Sequence, residues 1–184
     1  MRFSIAVLLL ISSHFLLAQN TNGSTNRDSV FTSVGDTLVG KITIDKDKNK
    51  YVLKVHATET ELDPTIVQAF VIYPNDGHYG RQAYYSIIGE FYLLQSGKDD
   101  PITLYAKSIY EIVEDDGPKY FIVKNKYCVF KNNTPYFPDK NIFKDVMVYL
   151  TNDCLSVHNK VRKGVYTIDD IPSVVLEYNQ CHGR

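Results

Sequence analysis

The chain has 184 residues, with 20 Lys and Arg against 21 Asp and Glu and a formal net charge of −1. This balance, without any basic stripe along the sequence, excludes nucleic acid as an expected partner. The length suits one domain with its own core, and 14 Tyr and 9 Phe without Trp suit β-strands and half-buried surfaces.

The first 18 residues have the pattern of a secretory signal peptide. Arg2 supplies a positive start, apolar residues fill positions 5–11 and 15–17, and Ala18 precedes Gln19 as at a cleavage position. This apolar run is shorter than the roughly 20 residues that a membrane-spanning helix needs. We therefore predict export to the periplasm, the cell surface or the extracellular space, with no membrane span in the mature chain.

After the signal peptide, the sequence predicts a leader and then a β-rich region. Residues 19–34 are rich in Asn, Ser, Thr and Gly and are predicted to be a disordered leader. Residues 37–44 and 51–55 alternate between apolar and polar side chains, and the charged residues 45–49 between them predict a hairpin turn. A single domain is therefore expected over residues 35–184.

Shorter strands follow at regular intervals. Residues 59–64 predict a turn or a short helical entry, and residues 124–126 a turn. Strands are predicted at residues 69–73, 81–87, 90–95, 102–105, 109–113, 120–123 and 127–130. This spacing predicts an antiparallel β meander over residues 35–133 that forms a curled sheet, a sandwich or a partial barrel.

Residues 139–184 predict a C-terminal two-helix unit, which makes the fold class α+β. In the first helix, apolar residues recur at helical spacing from Phe143 to Val161, and Gly164 can follow its end. The second helix begins near Asp170, because Pro172 is tolerated only in a first turn. The pair is expected to cover one face or one open end of the sheet.

The three cysteines permit several arrangements. Cys154 in the first helix and Cys181 at the end of the second can form a disulfide if their Cα atoms approach to about 6 Å. The same two cysteines with His158 and His182 can instead provide four zinc ligands. Two buried free thiols are the third possibility. Cys128, in an apolar strand, is expected to be a small buried hydrophobic residue.

Motifs that carry chemistry are missing from the sequence. It contains no Gly-x-Ser-x-Gly, P-loop, dinucleotide-binding fingerprint, His-Glu-x-x-His or Ca²⁺ loop. Carboxylate pairs at residues 99–100, 115–116 and 169–170 fall in predicted turns or at a helix start, where such residues stabilise structure. We predict no catalytic residue, no metal and no cofactor.

A cluster of aromatic and basic residues surrounds the predicted turn at residues 75–77. Aromatic rings next to Arg and His can bind a glycan or a peptide by stacking and hydrogen bonding together. The alternative is that the tyrosines are cross-strand pairs on a sheet face. The candidate ligand-binding residues are Tyr73, His78, Tyr79, Arg81, Tyr84 and Tyr85.

Several segments carry a resemblance to other proteins. With the signal peptide, residues 89–94, 103–105, 120–124, 153–154 and 177–181 together resemble a loose group of exported Bacteroidota-type proteins without an established activity. The resemblance implies that the protein is exported and has this type of fold. It identifies no catalytic residue.

Three functions follow as hypotheses. The first is a non-enzymatic domain that binds or scaffolds at the cell envelope, with a glycan, a peptide or another envelope protein as partner. The second is a hydrolase of envelope or dietary polymers whose site is assembled from distant residues. The third is a carrier of a small apolar ligand, held in a cavity inside the curled sheet.

Overall fold

A computed structural model describes residues 27–74, 80–113 and 120–183. Within these ranges, ten strands form one antiparallel sheet, and helices follow it at the C-terminus. The predicted α+β class, with an antiparallel sheet before C-terminal helices, is confirmed. The strands are β1 (Asp28–Thr32), β2 (Thr37–Asp45), β3 (Lys50–Val55), β4 (Thr58–Glu61), β5 (Val67–Ile72), β6 (Gln82–Ile87), β7 (Glu90–Leu94), β8 (Ile102–Val113), β9 (Tyr120–Lys131) and β10 (Thr134–Tyr136).

Part of the predicted disordered leader is a strand inside the sheet. The strand order is β10-β9-β8-β7-β6-β5-β1-β2-β3-β4, so β1 lies between β5 and β2. Val30 is fully buried, and the buried Asp28 carboxylate accepts hydrogen bonds from the amides of Ile42 and Tyr73, each at 2.8 Å. The leader prediction is wrong for these residues. Asp28 is buried, and its carboxylate forms its hydrogen bonds inside the fold and not with water. The predicted signal peptide lies outside the described residues.

Strands β8 and β9 are longer than predicted. They pair without interruption from Ile102 opposite Lys131 to Val113 opposite Tyr120. The predicted turn at residues 124–126 is therefore wrong, since these residues continue β9 as polar positions on an exposed strand. The predicted turn or helical entry at residues 59–64 is likewise partly strand, because β4 pairs with β3.

The sheet curls but does not close. Strands β2 and β3 fold back over the middle strands, which brings the Tyr51 ring to 4.8 Å from Phe70 and 6.0 Å from Phe91 between centroids. In the turn between β2 and β3, the Asn49 side chain accepts a hydrogen bond from the Tyr110 amide (2.7 Å) and donates one to the Tyr110 carbonyl (3.1 Å). One side-chain amide thereby joins the tip of this hairpin to β8. We call the sheet face that carries Phe70 the inner face, and the opposite one the outer face.

The helical region contains α1 (Phe143–Leu150), α2 (Leu155–Arg162), a short 3₁₀ helix (Ile168–Asp170) and α3 (Ile171–Cys181). The predicted two-helix unit is wrong because its first helix breaks between α1 and α2. Thr151 donates its hydroxyl to the Met147 carbonyl at 2.7 Å, a bond that bends helices. The Cys154 amide donates to the Thr151 carbonyl at 3.0 Å and not to the Leu150 carbonyl, as it would in a continuous helix. Lys131 donates to the Leu150 carbonyl at 2.6 Å.

The predicted disulfide is confirmed. Cys154 precedes α2 and Cys181 ends α3, and the bond joins them with a Cα–Cα distance of 6.3 Å. The zinc and free-thiol alternatives for this pair are therefore wrong. Among the described residues, no group of three or more His, Cys, Asp or Glu is placed to hold a metal ion.

Two cores lie on the inner face. The helices bury one side of α1, α2 and α3 against Ile102, Leu104 and Val129. A second core forms where β2 and β3 fold back, and it includes Val30, Ile42, Leu53, Phe70 and Phe91. In the described part of the chain, no helix has the length and hydropathy needed to cross a lipid bilayer.

Candidate functional site

A cavity of about 430 Å³ borders β1 to β3, and one of about 520 Å³ lies on the inner face. We call the first the outer-face cavity, because its lysines, Lys41 and Lys54, alternate onto the outer face. The second, which we call the inner cavity, lies between the two cores of the inner face. Its walls come from β2 and β3, from the middle strands β5 to β7, from β8 and β9, and from Pro172 at the start of α3. The lining residues are Ile42, Ile44, Tyr51, Ile72, Gln82, Tyr84, Leu93, Gln95, Ala106, Ser108, Tyr110, Asn125, Tyr127 and Pro172.

Aromatic rings dominate one end of the inner cavity. Tyr84 stacks on Phe70 with ring centroids 4.6 Å apart and planes inclined by 11°. Tyr51 approaches the same ring of Tyr84 to 5.2 Å from the opposite layer. Packing on the second core fixes both rings where they border the cavity. Tyr110 and Tyr127 add two more phenol rings from β8 and β9.

The tyrosine hydroxyls of this end are neutral hydrogen-bonding groups. Burial, together with the neighbouring Tyr84, raises the pKa of Tyr51 far above its ordinary value. Burial also raises the pKa of Tyr84. Both phenols therefore stay protonated at neutral pH and can donate as well as accept hydrogen bonds.

The other polar groups of the inner cavity are amides and a hydroxyl. Gln82 accepts a hydrogen bond from the Tyr84 hydroxyl at 3.3 Å, and Ser108 donates to the Asn125 side chain at 3.1 Å. Gln95 lies at the cavity edge with an exposed side chain. None of the lining residues is Asp, Glu, His, Lys, Arg or Cys. The cavity therefore offers ring faces and neutral hydrogen-bonding groups, and no formal charge.

The structure separates the ligand-binding residues predicted from sequence. Tyr84 lines the inner cavity, whereas Tyr85 points to the outer face, where its ring lies 5.8 Å from Tyr105. Tyr73 lines the outer-face cavity. Arg81 precedes β6 on the exposed surface, and its charge partly offsets the rise that burial causes in the pKa of Tyr85. Predicted site residues 78 and 79 lie outside the described residues.

Sequence reasoning missed most of the inner cavity. The sequence predicts strands for Tyr51, Tyr110 and Tyr127, and alternation in the first of these strands predicts that Tyr51 shares a face with residues 53 and 55. Alternation carries no information on which distant strands come together when a sheet curls. Asn49, in the turn before β3, bonds to Tyr110 of β8, and a single Asn in a charged turn does not predict such a contact.

No protein-family model, curated protein or solved structure matches the chain. The resemblance to exported Bacteroidota-type proteins therefore stays a prediction, and the case for a function rests on the geometry of the cavities.

Proposed function

We propose that the protein is a non-enzymatic, exported binding protein that holds a neutral saccharide in the inner cavity. The observation that carries the proposal is the composition of that cavity, which combines four tyrosines with two glutamines, a serine and an asparagine and carries no formal charge. Its volume of about 520 Å³ lies within the range of roughly 300 to 1,000 Å³ typical of small-molecule sites.

The lining chemistry favours a sugar over the alternative ligands. Sugar rings stack on aromatic faces through their C–H groups, and their hydroxyls pair with amides and phenols. The lining gives a charged ligand no counter-charge in exchange for its hydration, which is costly. The nearby Lys46 amine already lies over the Tyr110 ring, 5.3 Å from its centroid. A purely apolar ligand would cover the Gln82, Ser108 and tyrosine polar groups without using their remaining hydrogen-bonding capacity.

Hydrolysis is less well supported than binding. A glycoside hydrolase needs two carboxyl groups on opposite sides of the bond that it cleaves. The inner-cavity lining supplies no carboxyl, imidazole or thiol group, and the phenols of Tyr51 and Tyr84 are held in their protonated form. These residues can bind a ligand by hydrogen bonds, but they do not supply the acid and base that hydrolysis needs at neutral pH.

Export is supported by two independent features. Residues 1–18 have the composition of a signal peptide, and the Cys154–Cys181 disulfide is typical of oxidising compartments. We further propose that the curled sheet acts as a partial barrel whose open side admits the ligand. The hydrogen bonds from Asn49 to Tyr110 support this by holding β2 and β3 across the sheet.

Filling the inner cavity should abolish saccharide binding. Ser108→Phe places a ring in the cavity, whereas Ile109→Phe adds the same ring at the next position of β8, on the opposite face. We expect saturation-transfer difference NMR with glucose, N-acetylglucosamine, cellobiose and maltose to detect binding to the unmodified protein and to Ile109→Phe. Ser108→Phe should lose the signal while keeping its circular dichroism spectrum.

Two results would reject this proposal. One is the absence of a saturation-transfer signal for all four sugars together with a signal for a neutral peptide, which would identify a peptide-binding cavity. The other is an equal signal from Ser108→Phe and Ile109→Phe, which would place the sugar elsewhere on the molecule.

A further inference from the structure

The outer-face cavity is chemically the opposite of the inner one. It has a volume of about 430 Å³ and is lined by Arg27, Asp28, Val39, Gly40, Lys41, Lys54, Val55, His56 and Tyr73. Three of these side chains are permanent cations, and one is a carboxylate. The lining therefore carries a net positive charge even with His56 neutral.

The cations stand in a row across three strands. Lys41 on β2 lies directly opposite Lys54 on β3 in the strand register. Asp28 pairs with Gly40, so the same antiparallel register places Arg27 opposite Lys41. Like charges directly opposite each other destabilise a sheet, and a row of three such residues across neighbouring strands is therefore a feature that folding alone does not favour.

The nearby carboxylates neutralise this row only in part. Asp28 lies 3.5 Å from the Lys41 amine, but it is buried and its oxygens already accept hydrogen bonds from two backbone amides. Glu59 pairs with Lys54 at 3.0 Å across β3 and β4. About half of the Lys41 side chain is exposed, as is about half of Lys54, so both amines can turn toward a ligand at little cost.

We propose that this outer-face cavity binds an oxyanion, namely a carboxylate, sulfate or phosphate group of a larger molecule. Arg27, Lys41 and Lys54 supply the charge-assisted hydrogen bonds that such a group accepts. Tyr73 adds an aromatic wall at the end of β5. Val39, Val55 and Tyr73 border the cations, so a larger molecule that carries the anionic group can make further contacts to them. This site is independent of the saccharide proposal, because no residue lines both cavities.

The test is a titration of the full chain with inorganic phosphate, sulfate and acetate, each at an ionic strength held constant with sodium chloride. Isothermal calorimetry should show saturable binding of at least one anion. Comparing the three affinities shows whether the site prefers phosphate, sulfate or a carboxylate. We expect Lys41→Gln and Lys54→Gln each to weaken binding about tenfold. Two variants are used because Lys41→Gln also removes the ion pair with the buried Asp28.

The matched control is Lys50→Gln. Lys50 lies on β3 with its side chain about half exposed and pairs with Glu61 at 2.6 Å, but it does not line the cavity. Lys50→Gln removes one positive charge from β3, as Lys54→Gln does. It should leave the affinity for the anion within about twofold of that of the unmodified protein. Equal weakening by Lys50→Gln would show that only general electrostatic attraction is at work, and no saturable binding of any of the three anions would overturn the proposal.

Discussion

Replacing Cys154 and Cys181 together by serine should lower the free energy of unfolding by about 3 to 4 kcal/mol, because the loop-entropy relation gives this value for a closed loop of this size. The two residues are 27 positions apart and join the start of α2 to the end of α3. Cys154 is buried, so an uncrosslinked serine there adds a polar group in an apolar core. Urea denaturation followed by circular dichroism measures the difference.

The third cysteine provides the control. Cys128 is a buried free thiol, and burial raises its pKa to about 12, so it stays protonated and unreactive in the native state. Cys128→Ala should retain the disulfide contribution, and a reductant should destabilise this variant as it does the unmodified protein. Equal unfolding free energies for the double-serine variant and the unmodified protein would show that the disulfide does not constrain the helical region.

Asn179→Leu should lower the free energy of unfolding by about 2 to 6 kcal/mol, since it leaves two buried backbone groups without partners and each costs about 1 to 3 kcal/mol. Asn179 lies on α3 and is buried, and its side chain pairs with both backbone groups of Ile102 on β8. Its oxygen accepts from the Ile102 amide at 3.0 Å, and its nitrogen donates to the Ile102 carbonyl at 2.9 Å. Leucine has a similar size, so the loss reports the hydrogen bonds and not a cavity.

The matched control for Asn179→Leu is Gln180→Leu, which replaces the adjacent, exposed amide of the same helix. It should change the unfolding free energy by no more than about 0.5 kcal/mol. Hydrogen exchange gives a second readout, because the Ile102 amide should lose its protection in Asn179→Leu alone. If Asn179→Leu does not change the free energy of unfolding, the backbone amide and carbonyl of Ile102 form other hydrogen bonds in the variant.

The local elements of the fold were more predictable than their arrangement. The β2–β3 hairpin follows from alternation and a charged turn, and Gly164 adopts the expected positive φ of 74° after α2. The disulfide was also predictable, since a cysteine within the first predicted helix and one at the end of the second can meet when antiparallel helices pack. The break between α1 and α2 was not, because the partner of the Leu150 carbonyl is Lys131 of β9, a residue 19 positions away.

Polar residues buried by tertiary contacts account for the other errors. Residues 28–32 were predicted as part of a disordered leader, in which a charged residue such as Asp28 is usual. In the structure, the Asp28 carboxylate accepts hydrogen bonds from the amides of Ile42 on β2 and Tyr73 after β5. Asn179 falls four residues after Val175 on the apolar face of α3, a spacing that would have flagged a buried amide. The cations of the outer-face cavity are far apart in sequence and meet only through the strand register.

The most direct test of the saccharide proposal compares the tyrosines of the two sheet faces. Tyr51, Tyr84, Tyr110 and Tyr127 line the inner cavity, whereas Tyr85, Tyr92 and Tyr105 cluster on the outer face. The protein is labelled with ¹³C in its tyrosine rings, assigned with single Tyr→Phe variants and titrated with the sugar that gives the strongest saturation-transfer signal. We predict saturable shifts of the inner-cavity rings with the outer-face rings unmoved. Shifts confined to the outer-face rings, or equal on both faces, would contradict the account.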